Sequence, residues 1–143
     1  VRAGALRALR EAFGARAAKI FIAAIDDPDE SVATAACYSI EQLQIRSPQS
    51  LESFLKLLRR LEPVRQGVVL EAMGVACDKR AVPHLLAVLK DPDRHIAHIE
   101  AATAIGKLTG EEGVRPFLRG DGFDPAGQKE AIRKWEQWWE RNR

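Results

Sequence analysis

The stretch Asp27-Pro28-Asp29-Glu30-Ser31-Val32, running on to Ala35-Ala36, Ile40 and Leu43, is answered later by Asp91-Pro92-Asp93-Arg94-His95-Ile96, running on to Ala101, Ala104-Ile105-Gly106 and Leu108. The second copy begins 64 residues after the first. Between them Glu62-Pro63-Val64 precedes Val68-Val69, Ala72-Met73-Gly74 and Ala76, and the N-terminus supplies Val1, Ala5, Ala8-Leu9 and Ala12 in the same register. Leu9, Ile40, Met73 and Ile105 are then equivalent positions, at intervals of 31, 33 and 32 residues. A fixed period of that size predicts stacked structural repeats, an α-solenoid.

Each repeat holds two apolar faces of helical period, so each unit is predicted to be a helical hairpin. The first face carries small residues, such as Ala35, Ala36 and Ser39. The second carries large ones: Ala18, Phe21, Ile22 and Ile25; Phe54, Leu57, Leu58 and Leu61; Val82, Leu85, Leu86 and Leu89; Val114, Phe117 and Leu118. Small side chains let the first helices approach one another, and the larger ones fill the space between layers. Asp-Pro-Asp stops one helix, because proline cannot extend it, and caps the next through Asp29 or Asp93. Composition agrees, since Ala, Leu, Glu and Arg outnumber β-branched and aromatic residues.

The expected units are residues 1–26, 27–61, 62–90 and 91–119, followed by a loop and a capping helix over 120–143. Asp124 before Pro125 reads as an N-cap with proline in the first turn. Ile132, Trp135 and Trp139 share one face of that last helix, with Trp138 at its margin. They are expected to close the apolar end of the stack.

These residues carry a resemblance to HEAT repeats, and within them to the short bacterial HEAT-like repeats of the phycobilisome-lyase type. The match rests on Asp27-Pro28-Asp29…Val32…Ala35-Ala36, Ala72-Met73-Gly74, Ala81-Val82-Pro83-His84-Leu85-Leu86, Leu89-Lys90-Asp91-Pro92-Asp93 and Ala104-Ile105-Gly106. It departs at Glu41, where the pattern has glycine, and at Arg65, where it has an aliphatic residue. The Trp-rich tail resembles one that ends bacterial HEAT-like proteins. The resemblance implies an all-α superhelix acting in recognition. Some HEAT-like proteins attach bilins and others excise alkylated purines from DNA, but neither activity carries over residue by residue onto this chain.

At 143 residues, with 46% hydrophobic and 29% charged, the chain can build one domain with a core, which excludes intrinsic disorder. Its longest apolar run, Ile20 to Ile25, is far too short to span a membrane. The opening Val1-Arg2-Ala3-Gly4-Ala5-Leu6 reads as an amphipathic helix from within a longer protein, not as a leader. Cys37 and Cys77 make neither a disulfide framework nor a zinc site. Register places Cys77 about 10 Å along the helix from the equivalent of Cys37, so both are expected as free thiols.

No phosphate loop, dinucleotide turn or nucleophile–base pair is present, so the chain is read as noncatalytic and without a cofactor. His95 and His98 are weak metal candidates on one face of a helix start, and a capped, solvated start explains them equally. Arg119-Gly120-Asp121 is a tripeptide that chance supplies. What remains is charge. The net formal charge is only +2. Yet the outward side of the second helices carries Arg16, Lys19, Lys56, Arg59, Arg80, His84, Arg115 and Arg119, against Glu52 and Glu112. Acids such as Glu11, Glu41, Glu71 and Glu100 fall on the first helices. Lys56, Arg59, His84 and Arg115 are expected to form a basic ridge on the concave side that docks an acidic protein surface. A nucleic acid is the alternative partner, disfavoured by the lack of interleaved aromatics.

Overall fold

The computed structural model describes residues 2–111, 118–119, 122–123 and 125–143. The fold is all-α apart from one two-residue strand pair. The helices are α1 (Arg2–Phe13), α2 (Ala18–Ala24), α3 (Glu30–Gln42), α4 (Leu51–Arg60), α5 (Gly67–Ala76), α6 (Val82–Lys90), α7 (His98–Thr109) and α8 (Pro125–Asn142). Single 3₁₀ turns at Gly14–Ala17, Pro48–Ser50, Pro63–Arg65, Lys79–Ala81 and Pro92–Ala97 lead into α2, α4, α5, α6 and α7. Prolines fix the backbone angle at the start of three of those turns, where a missing N–H costs nothing.

The first helices pack in chain order, α1 on α3, α3 on α5 and α5 on α7. Each second helix lies against the first helix that follows it: α2 on α3, α4 on α5 and α6 on α7. The equivalent positions Ile40, Met73 and Ile105 are fully buried, whereas Leu9 on the outermost α1 is half-buried. From the second helices Phe21, Phe54, Leu57, Leu85 and Leu89 fill the same core. Gly74 shows why small residues recur on the first helices. A Cβ there would lie 2.8 Å from the Ala104 Cα, so α5 and α7 meet backbone to backbone.

Capping follows the acidic punctuation with one correction. Asp29 accepts from the Ser31 N–H at 2.9 Å and caps α3. In the second copy the Asp91 carboxylate accepts from the Asp93 N–H at 3.0 Å, as Asp27 accepts from the Asp29 N–H at 2.8 Å in the first, and so caps the 3₁₀ segment Pro92–Ala97, whereas α7 begins at His98 behind Ala97 with no side-chain cap. Arg94 inside that segment has non-helical angles and marks a kink before α7.

The expected fourth second helix is also corrected in part. Leu118–Arg119 is strand β1, antiparallel to β2 (Gly122–Phe123), with Leu118 opposite Phe123. Val114 and Phe117 lie outside the described residues. It is α8 that packs on α6, burying Ala131 and Trp135, with Ile132, Trp138 and Trp139 half-buried against the core. The tail helix therefore lies against α6, and its Gln128 also meets His98 at the start of α7.

Candidate functional site

The amphipathic α4 places Phe54, Leu57 and Leu58 inward, and this turns Lys56, Arg59 and Arg60 outward. Those three cations line a cleft of about 400 Å³ between the end of α2 and α4, with Ile25 and Leu57 as its apolar wall and Asp26 and Ser53 at its rim. The Asp26 carboxylate accepts from the Ser53 hydroxyl at 3.0 Å. Arg59 donates to Glu52, two turns back on the same face of α4, at 3.1 Å. Arg60 reaches back to the carbonyls of Asp27, at 3.0 Å, and Pro28, and so ties α4 to the turn before α3. Lys56 is exposed and forms no ion pair among the described residues.

Of the residues singled out from sequence, the structure brings Lys56 and Arg59 together. His84 is exposed on α6, outside that cleft. Arg80 is engaged at the start of α6, where its guanidinium donates to Asp78 at 2.9 Å; that carboxylate, hydrogen-bonded by Arg80, is held below the usual range. Arg16 sits over the Phe13 ring at 5.8 Å, and Lys19 is exposed on α2. Arg115 lies outside the described residues, and Arg119 falls in β1. The tool that sequence reasoning missed is Arg60, whose partners are backbone carbonyls with no signature in the residue pattern.

The weak metal candidates resolve differently. His98 is buried; its Nε2 lies 3.0 Å from the Asp91 carbonyl and its Nδ1 lies 3.2 Å from the side-chain nitrogen of Gln128 on α8. With a carbonyl at one ring nitrogen and an amide N–H at the other, Nε2 is placed to donate and Nδ1 to accept. Neither nitrogen is left to ligate a metal. His95 is exposed, its Nδ1 at 3.3 Å from the Pro92 carbonyl. Among the described residues no three His, Cys, Asp or Glu side chains are grouped as a metal site would require.

Cys37 and Cys77 are both free and fully buried. Burial pushes each thiol up to about 12, helped at Cys77 by the neighbouring Asp78. A thiol so rarely ionised is a poor nucleophile. No described helix is long and apolar enough to cross a membrane.

The first-helix side of the molecule carries two further grooves. One lies between α1 and α3, with Ala3, Gly4, Ala35 and Ser39 as its floor and Arg7, Arg10 and Tyr38 as its walls. The other, formed by α3, α5 and α7, is lined by Thr34, Val64, Val68, Glu71 and Glu100, with Arg65 at its edge paired to Glu30. Comparison with known protein families, with curated proteins and with solved structures finds no match for this chain.

Proposed function

We propose that the protein is a noncatalytic interaction scaffold, a HEAT-like α-solenoid segment whose α2/α4 cleft takes an acidic surface of a partner protein. The carrying observation is the concentration of Lys56, Arg59 and Arg60 in one open cleft with an apolar wall. Arg60 is held by backbone carbonyls and Arg59 is oriented by Glu52, so two of the three cations are positioned before a partner arrives. Lys56 is free to pair. The solenoid reading draws support from the chain-order packing of α1, α3, α5 and α7 and from the resemblance in sequence.

The test is direct titration. A fluorescein-labelled Glu-rich peptide is titrated with the protein, and with a Lys56→Glu/Arg59→Glu variant of unchanged helicity. The wild type should bind and the reversal should weaken binding at least about tenfold, the scale expected when paired charges become like charges. Equal binding by both proteins removes the cleft from the proposal. Tighter binding of a single-stranded oligonucleotide, with a steep loss in salt, replaces the acidic partner with a nucleic acid.

A further inference from the structure

The two grooves on the first-helix side are lined by residues in the same repeat register. Arg7, Tyr38 and Glu71 are equivalent positions on α1, α3 and α5, and Gly4, Ala35, Val68 and Glu100 are equivalent on α1, α3, α5 and α7. They form neighbouring rows along one side, and the sign of charge changes along it. At the α1 end the cations are Arg7 and Arg10. Arg7 is paired with Glu11 at 3.0 Å, while Arg10 stacks over the Tyr38 ring at 4.9 Å and has no carboxylate partner among the described residues. Tyr38 is 46% exposed, like its register equivalents Arg7 and Glu71 on the outward side of the first helices.

At the other end stand Glu71 and Glu100, while Glu41 on α3 holds the register of Arg10 on α1. Glu100 folds over Gly67, where an added Cβ would lie 3.2 Å from its side chain, and its Oε2 is buried without a hydrogen-bond partner among the described residues. Desolvation and the carboxylates of Glu41 and Glu100 push the Glu71 carboxyl above its usual range, with Lys107 only partly opposing them. Val64, 69% exposed, borders the same groove. Each pole thus lacks what the other offers: at one, Arg10 without a carboxylate partner among the described residues and an exposed aromatic ring; at the other, under-satisfied acceptors and an exposed aliphatic residue.

We propose that this side is the interface of a two-fold homodimer, in which the Arg7–Arg10–Tyr38 groove of one protomer meets the Glu71–Glu100 groove of a second copy. A two-fold axis parallel to the helices sets α1 opposite the partner's α7 and α3 opposite the partner's α5, with equivalent positions at equal height. Tyr38 then comes level with Glu71 of the partner subunit, and the Arg10 guanidinium, stacked on Tyr38, lies beside that pair. The arrangement satisfies both poles twice through one self-complementary patch, as closed two-fold dimers require. Tyrosine and arginine at its centre are the residue types that anchor such contacts. The α2/α4 cleft stays outside this face, so the proposal does not depend on the cleft's partner.

Sedimentation velocity of the 143-residue protein at low ionic strength tests it. The expected result is a concentration-dependent shift from monomer to dimer below about 1 mM, weakened by salt. Arg10→Glu and Glu71→Arg should each give monomer, and the two together in one chain should restore the dimer by exchanging the poles. Helicity of each variant is checked first; Glu71 is exposed, so Glu71→Arg serves even where Arg10→Glu disturbs the fold. A protein that stays monomeric throughout overturns the proposal. So does a dimer indifferent to both single reversals, or a double reversal that remains monomeric.

Discussion

A single buried amide, Gln66, does the work of a splice between three repeats. Its side-chain nitrogen donates to the carbonyls of Leu58 and Leu61 at 3.1 and 3.0 Å, closing the end of α4, while its oxygen accepts from Arg94 at 3.0 Å. Helix ends leave carbonyls without partners, and here one side chain meets two of them out of reach of water. Gln66→Ala should therefore destabilise by roughly 2–4 kcal/mol in urea unfolding, because buried acceptors are left unmet. Gln66→Met, which keeps the volume, should recover little of that. A loss under about 0.5 kcal/mol would show that water replaces the amide. Nothing in the sequence marks this residue: it falls between a proline turn and an apolar helix, and its partners lie 5, 8 and 28 positions away.

At the scale of elements, the helices and their inward faces were legible because burial follows a 3.6-residue period. Ile40, Met73 and Ile105 share both register and full burial. The 3₁₀ segment Pro92–Ala97, which leaves α7 without a side-chain cap, and the strand at Leu118–Arg119 were not legible. A 3₁₀ turn and a two-residue strand are too short to impose a period. Register gives the height of a cationic side chain but not the carboxylate or carbonyl that claims it. Arg80 is spent on Asp78, and Arg60 enters from outside the expected set. The tail helix supplies the prediction at this scale. Trp135 is 1% exposed, whereas Trp138 and Trp139 are half-buried. Trp135→Ala should cost ~3–5 kcal/mol in urea unfolding, and Trp138→Ala clearly less. Equal and small losses would show that α8 is not docked. Gln128 adds a polar tie, its nitrogen lying 3.2 Å from both the Leu89 carbonyl and His98 Nδ1.

For the whole molecule, the two buried thiols couple stability to alkaline pH. Each is raised from 9.0 to about 12 in the folded protein. The unfolded chain releases these protons first, so their contribution is intact below pH 9.0 and is lost as pH rises toward about 12. The slope is roughly 1.4 kcal/mol per pH unit for each thiol in that window. A Cys37→Ala/Cys77→Ala variant should lose less stability than the wild type between pH 9 and 11, whatever its stability at neutral pH. Parallel curves for the two proteins would show that the thiols are already ionised when folded.

The contact of Gly74 with Ala104 has a mechanical consequence. Where side chains separate two helices, rotamer changes make a compliant layer that lets one slide or tilt against the other. Between α5 and α7 no such layer exists at the crossing, since even a methyl group would strike the opposing backbone. Close-packed backbone has little compressibility, so this pair behaves as a rigid joint. A load applied at α7 passes to α5 without being absorbed. Bending is left to the junctions where longer side chains intervene, with Glu41 standing on α3 at the position that Gly74 occupies on α5.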